Sequence, residues 1–297
     1  MARHEVAVVA HSGKTLGGGL GELRRVLAAA GHADPLWYEV PKSSKAPKAL
    51  QRAVKKGARL VFVWGGDGMV QRCIDAVAEV EHPKKVELAI LPAGTANLLA
   101  TDLGIPKDLA AAVQVGLNGA RRRLDVGVMN GERFAVMGGA GFDANIMKDV
   151  DSGAKKRLGR LAYFRSSVRA MRAQAVKMKV RVDGTTWFDG EASAVLLGNI
   201  GTVTGGFKVF PDASADDGRL EVGVVTADSV WQWLRVLSGV ARGRPERSPF
   251  VEMTRGKKIV VRLARPLAYQ IDGGVRSFVK RLKVRVVPGA IVVRVPR

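Results

Sequence analysis

The stretch Leu60-Val61-Phe62-Val63-Trp64-Gly65-Gly66-Asp67-Gly68 decides the fold of this chain. Its run of apolar residues predicts a buried strand, because a strand inside a parallel sheet is covered on both faces. The glycines around Asp67 predict a tight turn, and the pattern after them predicts a helix over Met69–Val80. A buried strand that passes through a glycine turn into a helix is typical of an α/β sheet.

The glycine turn at Asp67 has two interpretations. Glycines let the backbone approach a phosphate chain closely, with N–H groups at the helix start facing the phosphates. The carboxylate of Asp67 would then hold Mg²⁺ or a water network against them. The alternative is an ordinary strand-to-helix turn capped by Asp67. The stretch by itself leaves both interpretations open.

A second glycine turn follows the next predicted strand. Leu88–Leu91 is apolar, and Pro92-Ala93-Gly94-Thr95-Ala96-Asn97 comes directly after it. Consecutive strands usually lie near one another, and ligands of open α/β sheets bind at the carboxyl ends of strands. We therefore expect both turns to face one crevice.

Periodicity divides the chain at residue 124. Residues 1–124 alternate strands and helices, which predicts an α/β domain around a parallel, Rossmann-like sheet. From residue 125 to 297 period-two runs predict a mainly antiparallel β-sandwich, interrupted by helical inserts at Leu158–Ala173 and Ser229–Ala241. The strands predicted near the C-terminus are Lys257–Leu263, Leu267–Asp272, Leu282–Val287 and Ile291–Val295.

Composition narrows the class of protein. There are 48 Lys and Arg against 27 Asp and Glu, a formal net charge of +21, and 47% of the residues are hydrophobic. The hydrophobic fraction excludes a disordered chain. The positive net charge favours a polyanionic partner but does not show which kind of polyanion it is. Cys73 is the only cysteine, which excludes an internal disulfide and favours a reducing compartment. No stretch is long and apolar enough for a membrane span, so we expect a cytoplasmic protein.

Two nucleotide-binding patterns near the N-terminus are incomplete. Gly13-Lys14-Thr15 ends like a P-loop, but Val8 stands where that motif needs its first glycine. Gly17-Gly18-Gly19 imitates a dinucleotide fingerprint, but Glu22 stands where the third glycine belongs.

Taken in order, the motifs resemble the diacylglycerol kinase and sphingosine kinase superfamily in its bacterial soluble lipid kinase form. The segments that carry this resemblance are Gly65-Gly66-Asp67-Gly68; Pro92-x-Gly94-Thr95-x-Asn97; Gly139-Ala140-Gly141-Phe142-Asp143; Gly205-Gly206 through Pro211-x-Ala213 to Asp217-Gly218; and Asp272-Gly273. Each motif is loose by itself, but five in sequence are specific.

The resemblance implies an ATP-binding domain (1–124) and a lipid-substrate domain (125–297), with ATP between them. It implies that Asp67 belongs to the Mg²⁺ and ATP network and that Asp272 is the general base. The nucleotide-binding residues that it implies are Ser12, Gly13, Lys14, Gly65, Gly66, Gly68, Gly94, Thr95 and Asn97. It also implies a structural Mg²⁺ site at Asp217 with the carbonyls of Ser214 and Arg219.

Three positions depart from the family pattern. Met69 stands where the family often has Thr, Leu98 where it often has Asp, and Gly274 where the catalytic strand has Glu. Two carboxylates of the expected cluster are therefore missing. Because phosphoryl transfer depends mostly on positioning and on charge stabilisation by cations, their loss would weaken metal binding without removing the base.

The hypothesis is therefore an ATP- and Mg²⁺-dependent lipid kinase that acts on a diacylglycerol-like hydroxyl. Its expected partners are the lipid substrate and an anionic membrane surface, with peripheral association at the inner membrane and no nucleic acid. Two alternatives stay open: an NAD kinase, and a nucleotide- or lipid-binding protein with weakened turnover. The Asp272-Gly273 pair, read without the resemblance, predicts a hairpin turn. The acceptor lipid and a homodimer also stay open.

Overall fold

The computed structural model describes residues 5–80, 82–141, 175–203 and 207–297. Several sequence predictions lie outside these residues: the helical insert Leu158–Ala173 and the motif residues Phe142, Asp143, Gly205 and Gly206. The chain forms two compact units, which we call unit 1 (Met1–Val126 with Val287–Arg297) and unit 2 (Gly127–Val286).

Unit 1 is built on a parallel sheet. Its strands are β1 (Val6–His11), β2 (Leu36–Val40), β3 (Leu60–Gly65) and β4 (Glu87–Pro92), in the spatial order β4-β3-β1-β2. Its helices are α1 (Gly19–Ala29), α2 (Ala46–Lys55), α3 (Asp67–Ala78), α4 (Leu98–Asp102) and α5 (Leu109–Asn118). This confirms the predicted α/β fold of the N-terminal part.

The strand β3 runs through the core of unit 1, as its apolar sequence predicts. Val61, Phe62, Val63 and Trp64 have no exposed surface, because β1 and β4 flank the strand and helices cover the sheet. Burial of such side chains stabilises a fold by about 1.5–3 kcal/mol each. The continuous apolar run is therefore the sequence signal of this central position.

Unit 2 is mainly antiparallel, which confirms the predicted sandwich type. Its elements are β5 (Ala120–Met129), β6 (Glu132–Phe134), β7 (Met137–Ala140), β8 (Val176–Val182), β9 (Thr185–Ala192), β10 (Ala194–Gly198), β11 (Thr202–Val203), β12 (Phe207–Lys208), β13 (Leu220–Val225), α6 (Val230–Ala241), β14 (Val251–Gly256), β15 (Lys258–Ile271) and β16 (Gly274–Val295), with β5 and β16 each contributing residues to both units. One end of β15 pairs with β8 and the other with β7, so β15 belongs to two layers around one apolar core.

Two pairs of strands predicted near the C-terminus are single long strands. The predicted strands Lys257–Leu263 and Leu267–Asp272 are joined in β15, with Lys257 and Asp272 just outside its ends, and the irregularity between Arg262 and Leu267 is a bulge rather than a turn. Pro288-Gly289 similarly does not end β16. The sequence suggested breaks because proline and glycine interrupt strands more often than they continue them.

The helix α6 confirms the second predicted helical insert. Trp233 and Val236 face the sheet and are buried with Ala194 and Val225, whereas Trp231 is 79% exposed. Ser229 caps the helix by accepting a hydrogen bond from the N–H of Gln232. Among the residues described, none of the helices is long and apolar enough to cross a membrane.

The end of β16 completes the sheet of unit 1. Val292 and Val293 pair in parallel with Glu87 and Leu88 of β4. Side chains reinforce this pairing, because the Glu87 carboxylate binds the guanidinium groups of both Arg294 and Arg121, the latter at 2.7 Å. Arg294 also donates to the carbonyl of Gly119 at 2.8 Å.

We expect Glu87→Ala to lower the free energy of unfolding by about 2 kcal/mol, because it leaves two guanidinium groups without their half-buried carboxylate. Urea titration followed by circular dichroism measures this. The control is Lys179→Ala, which removes the exposed pair Lys179–Asp189 and should cost less than about 1 kcal/mol. Equal losses in both variants would show that the Glu87 network does not hold β16 in place.

Candidate active site

The two glycine turns lie side by side at the carboxyl ends of β3 and β4. Gly65 pairs with Pro92 in the parallel register, and the N–H of Ala93 donates to the carbonyl of Gly65 at 3.0 Å. The structure thus brings together the two motifs that the sequence predicted to share one edge. This edge is where ligands of open α/β sheets bind.

Gly66 and Gly94 approach so closely that a side chain at Gly94 would overlap backbone and one at Gly66 would be in tight contact with it. A Cβ atom at Gly94 would lie 2.4 Å from the Cα of Gly66, and one at Gly66 would lie 3.0 Å from the Cα of Gly94. Both contacts are with backbone, which cannot move aside without shifting a strand end. The fold itself therefore favours glycine at both positions.

Asn97 fastens the second turn. It has a left-handed backbone (φ 50°), which asparagine tolerates better than most residues. Its Oδ1 accepts the N–H of Gly94 at 2.9 Å, and its Nδ2 donates to the carbonyls of Gly94 and Pro92 at 2.8 and 3.1 Å. The N–H of Gly94 is thus used inside the turn, while Thr95 is exposed at its tip.

Asp67 links the two turns. It is the first residue of α3, and its Oδ1 accepts the N–H of Leu98, the first residue of α4, at 2.6 Å. Burial raises the pKa of the Asp67 carboxyl, and hydrogen bonds from backbone N–H groups, that of Leu98 first, partly oppose this shift. The bond uses the backbone of residue 98, so the change from Asp to Leu there does not remove it.

The loop after β1 lies at the same edge of the sheet. The N–H of Ser12 donates to the carbonyl of Val40 at the end of β2, and the indole N–H of Trp64 donates to the carbonyl of Lys14 at 3.0 Å. Ser12, Gly13 and Lys14 are exposed. Three loops that the sequence assigned to nucleotide binding therefore lie along one edge of the sheet of unit 1.

Met69 occupies the space beneath the first turn. It is buried, and a Cβ atom at Gly65 would lie 2.5 Å from the Cβ of Met69. The side chain therefore packs inside the turn and adds no polar group where the family often has Thr. Gly68, by contrast, has open space where its Cβ would be.

In unit 2, Asp272 lies in the hairpin turn between β15 and β16. Asp272 and Gly273 both have positive φ (44° and 80°), and Ile271 pairs with Gly274, so this is a two-residue hairpin. The Asp272 carboxylate accepts the N–H groups of Ala135, Val136 and Met137 at 3.0, 3.1 and 2.9 Å. These bonds fix the orientation of the carboxylate.

Two other hairpins in unit 2 use the same chemistry. Asp183-Gly184 and Asn130-Gly131 also have positive φ at both residues. Asp183 accepts the N–H groups of Lys257 and Lys258, and Asn130 accepts the N–H of Lys283 at 2.9 Å. Like Asp183 and Asn130, Asp272 therefore joins its hairpin turn to a neighbouring segment through backbone hydrogen bonds. This structural role is independent of any catalytic role.

A group that the sequence did not single out lies beside this hairpin. Glu132 accepts the Nε of Arg276 at 2.7 Å, and the Tyr269 hydroxyl is 3.5 Å from Glu132. A Cβ atom at Gly274 would lie 2.6 Å from Nη1 of Arg276. Arg276 therefore fills the space where the family carries Glu, and the only sequence signal was the missing side chain at residue 274.

The residues proposed for a structural metal lie in the loop before β13. The N–H of Arg219 donates to the Asp217 carboxylate at 2.9 Å, and Ser214 donates to Asp216. Burial raises the pKa of Glu221; Arg255 lowers it, and the carboxylates of Asp217 and Asp212 raise it further. Within the ranges that the structure describes, no group of three His, Cys, Asp or Glu residues could by itself hold a metal ion.

Comparisons with known proteins agree with this architecture. The family model described as "Diacylglycerol kinase catalytic domain" matches residues 6–129, and "YegS C-terminal NAD kinase beta sandwich-like domain" matches residues 136–295. A diacylglycerol kinase from Bacillus subtilis is 27% identical over 230 residues, which is 77% of this chain and 75% of the relative. One from Staphylococcus carnosus is 26% identical over 237 residues, 80% of this chain and 76% of the relative.

Solved structures support the same fold. A diacylglycerol kinase from Bacillus anthracis str. Sterne has a TM-score of 0.80 and 24% identity, covering 98% of this chain and 97% of that chain. An NAD kinase from Archaeoglobus fulgidus in complex with ATP has a TM-score of 0.53 and 11% identity, covering 97% and 92%. At these identities the likeness establishes the fold alone.

An α/β unit with glycine turns along one sheet edge, joined in sequence to an antiparallel unit, defines a class of kinases that share a fold with NAD kinases. The chain belongs to the diacylglycerol kinase superfamily, in its bacterial form with a YegS-type C-terminal domain, and it is a kinase.

We expect Gly94→Ala to lower the free energy of unfolding by about 1–3 kcal/mol, because its Cβ would overlap the backbone of Gly66. Gly68→Ala is the matched control in the same motif. It should stabilise the protein by about 0.5 kcal/mol, since the position is helical and open. Denaturant unfolding of both variants measures the two changes. A neutral Gly94→Ala would contradict the close packing of the turns.

Proposed function

We propose that this kinase transfers the γ-phosphate of ATP to a hydroxyl group of a diacylglycerol-like lipid and that it needs Mg²⁺. The observation that carries the proposal is the pair of touching glycine turns joined by Asp67, in a chain whose curated relatives are named diacylglycerol kinases. Under this proposal residues 1–124 bind ATP and residues 125–297 bind the lipid.

The three loops at the sheet edge of unit 1 fit a nucleotide phosphate chain. Gly65, Gly66 and Gly68 bring backbone close to the ligand, and the N-terminus of α3 favours negative charge. Lys14 is exposed on the loop after β1 and adds a cation for the phosphates. Thr95 offers a hydroxyl at the tip of the second turn, and Asn97 and Gly94 hold that turn in shape.

The donor set of unit 1 suits Mg²⁺ bound together with a substrate. Mg²⁺ usually takes one or two carboxylates and completes its shell with phosphate oxygens and water. Asp67 supplies one half-buried carboxylate, and the desolvation that raises its pKa would be offset by a nearby cation, which supports this assignment. When bound, Mg²⁺ supplies neutralisation of the charge that develops on the phosphates. Asp217 with the carbonyls of Ser214 and Arg219 is our proposed structural site.

Asp272 is our proposed acceptor of the hydroxyl proton. Its carboxylate is held in one orientation by three N–H groups, which positions it for contact with a substrate hydroxyl. A loose phosphoryl-transfer transition state needs little proton removal before the new bond forms. We further propose peripheral association with the inner membrane surface, where such a lipid resides.

We expect Asp272→Asn to lower kcat by about 10²–10⁴-fold if it removes the proton acceptor. Because Asp272 also ties a hairpin, the variant needs a matched control, and Asp183→Asn supplies it. Asp183 lies in the same type of turn and accepts the same type of backbone hydrogen bonds. Transfer of labelled γ-phosphate to a lipid extract with Mg²⁺, together with the melting temperature, measures both effects.

Both substitutions should lower the melting temperature, and only Asp272→Asn should lower kcat by about 10²–10⁴-fold. If Asp183→Asn lost as much activity, or if Asp272→Asn stayed active, the role of Asp272 would be structural alone. Formation of NADP instead of labelled lipid by the wild-type protein would make this chain an NAD kinase, whose fold it shares.

We expect Asp67→Asn to lower activity by about 100-fold or more through loss of the charge that binds Mg²⁺, without destabilising the protein at neutral pH. The raised pKa means that folded Asp67 holds its proton to a higher pH than the unfolded chain does. Stability therefore falls as pH rises through that window, and Asn removes this decline. Unfolding free energies across acid to neutral pH test it; a steeper pH dependence in the variant would contradict it.

A further inference from the structure

One face of unit 2 carries a dense set of cations. Three adjacent strands, β8, β15 and β16, alternate core residues such as Val180, Val261 and Leu282 with outward basic residues. We call these outward residues the cationic face: Lys177, Lys179, Arg181, Lys258, Arg262, Arg281, Lys283 and Arg285.

The strand register places like charges directly opposite one another. Lys258 is the partner of Arg285, and Arg262 has Arg281 on one side and Lys179 on the other. Opposite residues of antiparallel strands point to the same side, with their Cβ atoms about 5 Å apart. Like charges in such pairs destabilise a sheet, so this arrangement does not serve the fold.

Little negative charge offsets these cations. Asp189 and Glu191 of β9 stand opposite Lys179 and Lys177. Lys179 binds Asp189 at 2.8 Å. This hydrogen bond is the main reason that the pKa of Asp189 is lowered. Among the described residues, the other cations of the face form no ion pair. The face therefore presents eight cations against two carboxylates.

The shape of the face favours one kind of polyanion. It is a sheet surface with Val260 between the cations, and among the described residues its neighbouring exposed aromatic side chain is Phe278 rather than a row of aromatic side chains. Single-stranded nucleic acid is bound mainly on aromatic platforms, and duplex grooves are entered by a helix or a ribbon. A plane of lipid phosphates can be bound by a flat cationic surface, without aromatic platforms and without an element that enters a groove. Phe278 is 72% exposed three residues before Arg281, where an apolar side chain would reach the boundary of the acyl chains.

We propose that the cationic face docks this enzyme on a bilayer of anionic lipid. This inference rests on the proposed lipid kinase function, because the acceptor would be drawn from that bilayer. Attraction of this kind acts within a Debye length and weakens with salt.

The test is sedimentation with phosphatidylcholine vesicles that contain phosphatidylglycerol. The face variant replaces Lys258, Arg262, Lys283 and Arg285 together by Gln. The matched control replaces four exposed residues on or next to α2 in unit 1 by Gln and so removes the same charge. These residues are Lys48, Arg52, Lys55 and Lys56. We expect the face variant to bind about 100-fold more weakly, and the control to stay within about threefold of wild type.

A second readout excludes misfolding. Because like-charge pairs are removed, the melting temperature of the face variant should equal or exceed that of wild type at low salt. Its transfer of phosphate to dioctanoylglycerol in neutral detergent micelles should be unchanged, since none of the four residues belongs to the proposed active site.

Unchanged vesicle binding by the face variant would overturn the inference. So would an equal loss in the control, which would reflect net charge alone, or tighter binding of wild type to duplex DNA than to the vesicles. If wild type phosphorylated no lipid but the vesicle result held, the proposed function would fail and the docking face would stand.

Discussion

The contact between Gly66 and Gly94 is the constraint on which the candidate active site depends. A Cβ atom at Gly94 would overlap the backbone of Gly66, and one at Gly66 would be in tight contact with Gly94, so the two strand ends approach this closely because both residues are glycine. The approach in turn brings the first residues of α3 and α4 near enough for Asp67 to accept the N–H of Leu98. One steric requirement thereby sets the positions of two helix starts, the half-buried carboxylate of Asp67 and the exposed Thr95.

Unit 2 uses the same type of hairpin turn three times. Three hairpins end in Asn-Gly or Asp-Gly, and in each the polar side chain accepts N–H groups of a neighbouring segment. Asp272 is thus a residue that the fold needs at its position independently of chemistry. The proton acceptor that we propose at this position is held in a fixed orientation, which favours catalysis. Arg276 and Glu132 complete the surroundings of this hairpin.

The charged side chains of the Glu87 network stabilise unit 1, whereas those of the cationic face destabilise unit 2. In unit 1, Glu87 joins Arg294 and Arg121 where the last strand meets β4, so opposite charges stabilise a long-range contact. In unit 2, the register of β8, β15 and β16 opposes cation to cation, which costs stability. The net charge of +21 alone does not distinguish these uses. The strand pairing does, because it states which side chains are neighbours.

The sequence by itself determined the fold class, the order of the strands and helices of unit 1, and the sharing of one edge by the turns at Asp67 and Gly94, because periodicity and glycine are local signals. The helix predicted over Met69–Val80 is α3 (Asp67–Ala78), so its bounds differ from the prediction by two residues. Only the tertiary structure decided that β16 runs through Pro288 back to β4, that Asp67 bonds to Leu98, and that Arg276 takes the place of a side chain at Gly274. These contacts join residues far apart in the chain, and no local pattern encodes which distant partner a strand end or a carboxylate will meet.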